Sequence, residues 1–213
     1  MKIKKLGHCC LVIETKGVRI MTDPGTYSTL QDQEKDIDII LITHEHQDHF
    51  HIDSLKKVLA NNPDAHIVTN TSVGKLLDPE QISYTVIDDG KSITLEDILV
   101  EGYGSKHEEI YEAFGQVENT GYFIDNRLFY PGDAFCNPNR PIEILALPVV
   151  APWMKLKQAI EYALLLKPKV VFPVHDGMLV PTRMGPVHVI PQKILEPAGI
   201  KFCIMTEGDE KEF

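Results

Sequence analysis

Residues Asp38 to Thr43 (Asp-Ile-Ile-Leu-Ile-Thr) run directly into Thr43-His44-Glu45-His46-Gln47-Asp48-His49-Phe50-His51. The first part is a continuous apolar run rich in β-branched residues, the pattern of a strand buried on both faces. The second part places three histidines and one aspartate within positions 44–49, at the end of that strand. Functional groups commonly sit at such places, because the strand fixes the backbone while the loop exposes the side chains. A lone histidine is ordinarily a hydrogen-bonded core or surface residue; this density after an apolar strand points to a metal site. In a tight loop His44 and His46 can face one centre while Asp48 and His49 turn to a second. Imidazole nitrogen with carboxylate oxygen suits Zn²⁺, with Mn²⁺ or Fe²⁺ as the alternative occupants.

The chain is long enough to give that strand its covering layers. Its 213 residues amount to one substantial domain, 1–213, that buries about 70% of its unfolded surface. Lys and Arg number 21 against 31 Asp and Glu, a net charge of −10, which counts against a nucleic-acid or anionic-membrane binder. Met1 to Glu14 has no continuous apolar region or cleavage site. No stretch approaches the roughly eighteen apolar residues of a membrane span. A cytoplasmic location is therefore expected. Cys9, Cys10, Cys136 and Cys203 contain no Cys-x-x-Cys pair and read as reduced, partly buried thiols.

Along the chain, strand patterns at Lys2–Ile13, Gly17–Thr22, 38–43 and His66–Thr69 alternate with helical spacing at Asp53–Ala60 and Ser72–Leu77. Strand patterns then return from Ile82 to Tyr130 and at Ile144–Val150. Leu156–Leu166 is an amphipathic helix closed near Pro168. Val170–Val174 is a strand, Gln192–Leu195 a helical turn, and Phe202–Thr206 a last strand. Twice, then, a β-rich segment precedes helices, which suits an α/β sandwich of two packed sheets with helices outside.

The string His44-x-His46-x-Asp48-His49 resembles the signature of the metallo-β-lactamase superfamily in its binuclear hydrolase form. The resemblance implies an αββα four-layer sandwich with two mixed sheets. It also implies three later ligands, a His, an Asp after Gly and a final His. His107 in Gly104-Ser105-Lys106-His107, Asp133 in Pro131-Gly132-Asp133 and His175 in Pro173-Val174-His175 match them in order. Carried over, His44, His46 and His107 hold one divalent ion, Asp48, His49 and His175 hold a second, and Asp133 bridges the two. The superfamily's redox-active di-iron members carry a carboxylate where this chain has His46, so hydrolysis is the implied chemistry. A metal-bridging hydroxide would attack a small ester, lactone or phosphate ester, with Asp48 as the catalytic group that orients it and accepts its proton.

Leu6-Gly7-His8-Cys9-Cys10, Thr22-Asp23-Pro24-Gly25 and Leu147 to Met154 are similar to a branch of small hydrolases near the ascorbate-6-phosphate lactonases. A phosphodiesterase or nuclease on the same site is the alternative, weakened by the charge and by the lack of room for a nucleic-acid-gripping arm. A non-catalytic metal- or ligand-binding module is the other. β-Lactam hydrolysis does not follow from the superfamily's name.

Around the motif, Glu45 and Gln47 alternate away from the ligands, and His51 falls beyond it. His8, Asp23 and Asp176 can serve the outer nitrogens of metal-bound imidazoles. His66 and His188 read as structural or surface residues, and Cys136 as a buried thiol. Trp153 suits a pocket wall. Lys106 and Arg183 are surface charges that could add to the field of two cations and favour an anionic small-molecule substrate. The segment from Gly177 to Pro191 reads as a loop, fit for a lid or for a contact within a homo-oligomer.

Overall fold

Ile39 and Leu41 point into one apolar cluster and Ile40 and Ile42 into another, so all four residues are buried, two on each face. The computed structural model describes residues 1–213. Its first half contains β1 (Lys2–Lys5), β2 (Leu11–Thr15), β3 (Val18–Thr22), β4 (Ile39–Ile42), α1 (Ile52–Asn61), β5 (His66–Thr69), α2 (Thr71–Leu77) and β6 (Thr85–Val86). Next come β7 (Ser92–Leu95), β8 (Ile98–Tyr103), β9 (Gly121–Ile124), β10 (Leu128–Tyr130) and β11 (Ile144–Pro148). The chain closes with α3 (Leu156–Leu166), β12 (Val170–Val174), α4 (Gly185–Leu195), β13 (Lys201–Phe202) and β14 (Glu210–Glu212).

Two mixed sheets form, in the orders β14-β1-β2-β3-β4-β5-β6 and β13-β12-β11-β10-β9-β8-β7. Each is antiparallel over one half and parallel over the other, with the change of direction at β3/β4 and at β10/β11. Ile13, Ile20, Ile39 and Leu41 of the first sheet share a core with Tyr122, Ile124, Tyr130 and Phe172 of the second. Leu55 and Val58 of α1 and Val73 and Leu77 of α2 cover the outer face of the first sheet. Ala159 and Ala163 of α3 and Leu195 of α4 cover the second. This is the metallo-β-lactamase-like α/β arrangement that the sequence motif implies.

Three details differ from the sequence reading. The run from Lys2 to Ile13 is broken at residues 6–10, and that break carries His8 inward. Residues 185–195 form a full helix, not a loop with one terminal turn. Pro186 lies in its first turn, where a missing N–H is harmless, and Pro191 lies inside it and hides the pattern. β14 pairs with β1 and closes the first sheet, although Lys2-Ile3-Lys4 meets only alternating charges there.

A buried ion pair ties the chain's start to its second half. Lys5 is 1% exposed, and its ammonium donates to Asp176 Oδ1 at 2.6 Å, Pro173 O at 2.9 Å and Met205 O at 3.3 Å. His188 on α4 meets the other Asp176 oxygen at 2.8 Å. Burial pushes the Asp176 carboxyl up, but Lys5 and His188 hold it below its ordinary value. Because the folded value is depressed, this stabilisation is complete above the ordinary carboxylate range and fades as pH falls through the folded value. Lys5→Met would leave the carboxylate buried without its cation, and a loss of about 3–5 kcal/mol at neutral pH is expected. Urea unfolding across acid to neutral pH checks this: the deficit should shrink on acidification, and a deficit that is flat with pH would contradict it.

Candidate metal centre

Every loop of the site leaves the C-terminal end of a strand. β1, β3 and β4 run in one direction in the first sheet, as do β8, β10, β11 and β12 in the second. The loops that follow them bring His8, Asp23, His44 to His49, His107, Asp133, Trp153 and His175 to one edge of the sandwich. Two glycines allow the close approach. A Cβ on Gly25 would lie 2.0 Å from the Asp48 carbonyl oxygen. Gly132 has φ +64°, a backbone state that suits glycine, and a Cβ there would lie 2.4 Å from Asn119 Oδ1.

All seven residues singled out by the motif meet here. The rings of His44, His46 and His107 lie within 4.6–5.0 Å of one another, centre to centre. Asp48 Oδ2 lies 3.5 Å from His175 Nε2 and 3.8 Å from His49 Nε2. Asp133 stands between the groups: its Oδ1 is 3.1 Å from His49 Nε2, and its Oδ2 is 3.3 Å from His107 Nε2 and 2.9 Å from His175 Nε2.

The imidazoles are oriented from behind. His49 Nδ1 meets Asp23 Oδ2 at 2.7 Å, His175 Nδ1 donates to Val150 O at 2.6 Å, and His107 Nδ1 donates to Glu108 O. The Thr43 hydroxyl donates to Asp23 Oδ2 at 2.7 Å, so its oxygen is free to accept from His44 Nδ1 at 3.0 Å. With each Nδ1 holding a proton, each Nε2 offers a lone pair. The Nε2 atoms of His44, His49, His107 and His175, together with Asp133 Oδ1, are buried and have no hydrogen-bond partner. Unpartnered polar atoms at this depth are costly unless something else satisfies them. The donor set fits divalent metal ions, and it is large enough for two.

The electrostatics are those of a site that needs positive charge. Burial pushes the Asp48 and Asp133 carboxyls up, yet the surrounding imidazoles, His175 foremost, bring both well below their ordinary values. Burial also opposes charge on His49 and His175, but the neighbouring Cys9 and Asp133 push both imidazoles up. His44 goes the other way: burial, then His49, drives it down. Cations can take the place of those protons, which is how metal binding and proton release are linked.

A family model for the beta-lactamase superfamily domain matches residues 2–175, a span that includes all seven candidate ligands. The chain belongs to that superfamily. Over 190 residues it is 30% identical to the protein Rv0786c of Mycobacterium tuberculosis, covering 87% of this chain and 88% of that one. It is 29% identical over 187 residues to a UPF0173 protein of Pyrococcus abyssi, with 83% and 84% covered. Among solved structures, Igni18, a metallo hydrolase of Ignicoccus hospitalis, shares the fold with a TM-score of 0.78. It is 23% identical, and 100% of this chain and 98% of that chain are covered. With its metal-binding cluster and its superfamily, the chain is a metal-dependent hydrolase.

Several groups act in ways the sequence did not specify. Asp23 meets the outer nitrogen of an imidazole, that of His49, as expected, and beyond that expectation it is fully buried at φ +38° and also accepts from Thr43 and Tyr130. His8 accepts the Gly177 N–H at Nδ1 (3.0 Å), which places its own proton on Nε2, 3.3 Å from Asp48 Oδ2. The Trp153 indole N–H donates to Asp133 Oδ2 at 2.7 Å, so Trp153 both walls the cleft and holds a candidate ligand. Cys9 lies beneath His8, His49 and His175. Outside the cluster, His51 bonds Ser54 at the start of α1, Glu45 accepts from Ser72, Gln47 is exposed, and His66 meets Thr85. Asp176 faces away from the cluster toward Lys5 and His188. Burial pushes the Cys136 thiol up to about 12, consistent with an inert role.

Proposed function

We propose that the protein hydrolyses a small ester, lactone or phosphate ester in the cytoplasm, with zinc as the occupant of both positions. His44, His46 and His107 would hold one ion, Asp48, His49 and His175 the other, and Asp133 both. The observation that carries this reading is the set of buried, unpartnered Nε2 atoms of His44, His49, His107 and His175, of which the last two residues line the cleft. Bound there, divalent ions supply Lewis acidity, lowering the pKa of a coordinated water to about 7 and polarising a substrate oxygen.

The chain's own groups have distinct tasks in this scheme. Asp48 has a side chain 20% exposed, against 3% for Asp133, and it lines the cleft, so it is the carboxylate that can meet water and accept a proton. His8 holds that carboxylate through its Nε2–H and is held in turn by the Gly177 backbone. Beyond the ligands the cleft offers only the Tyr27 hydroxyl as a free proton donor. That scarcity suits a lactone, whose leaving group stays attached.

Asp48→Asn keeps the size of the side chain but not its basicity. Turnover across a panel of esters, lactones and phosphate esters should fall by about 10²–10⁴-fold, the usual contribution of a positioned base, while the protein still takes up metal. Undiminished turnover in the variant, or wild-type turnover that survives chelation, would refute the reading.

A further inference from the structure

The walls of the cleft beyond the ligands are Tyr27, Ile110, Pro152, Trp153 and Met178. None is a cation, and the one N–H among their side chains, the Trp153 indole, is taken by Asp133. Lys106 and Arg183, the candidate surface charges, are exposed and do not line the cleft. A phosphate group would find no side-chain cation in these walls to pair with the outer oxygens that the ions do not take.

The mouth is apolar as well. Tyr27, Ile110 and Met178 are 50%, 39% and 40% exposed, and the loops that bear the last two also carry Tyr111 at 65%, Phe114 at 80% and Val180 at 54%. These six residues are half of the twelve large hydrophobic side chains that the chain leaves exposed. Scattered exposed hydrophobics need no explanation, but their concentration on the loops of one opening marks a surface that something apolar covers.

We infer that the site takes an uncharged acyl ester or lactone with an apolar substituent, in preference to a phosphate ester. The inference rests on the hydrolase reading and narrows it. In the reaction, water oxygen bonds to the acyl carbon and the bond from that carbon to the alkoxy oxygen breaks. One water proton ends on the alkoxy oxygen and the other is released as the acid ionises. The products are an alcohol and a carboxylate, joined in one molecule when the substrate is a lactone.

Trp153 is the single tryptophan and lines the cleft, so its fluorescence reports binding there. Metal-loaded protein titrated with acetate, hexanoate and inorganic phosphate should bind hexanoate at least about tenfold more tightly than acetate, since each buried methylene contributes about fourfold. Phosphate should bind more weakly than hexanoate. In parallel, kcat/KM for para-nitrophenyl esters should rise from acetate through butyrate to hexanoate, with para-nitrophenyl phosphate lowest. Ile110→Ser combined with Met178→Ser should bring the hexanoate-to-acetate ratio close to unity in both measurements. Phosphate binding tighter than hexanoate, or a wild-type ratio already near unity, would overturn the inference while any observed turnover keeps the hydrolase reading. Chain-length-dependent binding with no turnover of any ester or phosphate would do the reverse, upholding the apolar ligand and overturning the hydrolase.

Discussion

Asp133→Ala should lower bound metal from about two equivalents per chain to below one, and abolish turnover. The carboxylate lies within 3.3 Å of the Nε2 atoms of His49, His107 and His175, which belong to both halves of the cluster. Its removal would take an anionic donor from each proposed ion and leave Asp48 as the one carboxylate of the set. Losing an outer partner of a metal ligand typically costs 10–100-fold in affinity or activity; loss of a shared ligand should exceed that range. Elemental analysis by mass spectrometry after mild dialysis reads the result directly. Two equivalents retained in the variant would mean that Asp133 bridges nothing. A milder companion change, Trp153→Phe, removes the indole N–H that holds Asp133 Oδ2 together with part of the cleft wall but leaves the ligand in place, so its loss should stay within the outer-partner range.

The contrast between these two residues shows what the sequence made legible. The cluster from His44 to His49 is local, and a buried strand announces it, so its chemistry could be read before any fold was known. His107, Asp133 and His175 each follow a strand, and their order made them findable once the superfamily's pattern was in view. The indole bond to Asp133 joins residues 20 apart across two loops, and no periodicity encodes it. His8 was misplaced within a strand pattern because Leu6 to Cys10 is apolar enough to continue one; the chain turns there because β1 pairs antiparallel with β2, and the Leu6 N–H donates to Cys10 O at 2.8 Å. α4 was hidden for the opposite reason. Its two prolines argue locally against a helix, while Val187 and Leu195, packed on the second sheet, supply the tertiary contact that overrides them.

Asp23→Ala should be among the most destabilising single changes in the chain, by more than about 4 kcal/mol. Four donors converge on this carboxylate: the Thr43 N–H at 2.8 Å, the Thr43 hydroxyl at 2.7 Å, His49 Nδ1 at 2.7 Å and the Tyr130 hydroxyl at 2.6 Å. Thr43, His49, Tyr130 and Asp23 itself are all fully buried, so water cannot replace the lost acceptor. A buried donor left unpaired costs about 1–3 kcal/mol, more beside charge, against a total stability of about 5–15 kcal/mol for a typical protein. Burial, then Asp23, pushes the Tyr130 hydroxyl above its ordinary value, which keeps it a donor. Asp23→Asn is no rescue, because its amide turns an N–H toward groups that themselves donate. Tyr130→Phe removes one donor together with its need for an acceptor, and should cost only about 1 kcal/mol. Urea unfolding in the presence of a chelator separates this effect from metal-linked stability. A loss below about 1 kcal/mol for Asp23→Ala would show that the donors find other partners. The metal-loaded variant should also bind its ions about 10–100-fold more weakly, because His49 loses the group that fixes its tautomer. The same carboxylate therefore braces the fold between the sheets and aims an imidazole at the metal centre, and the two losses should appear together.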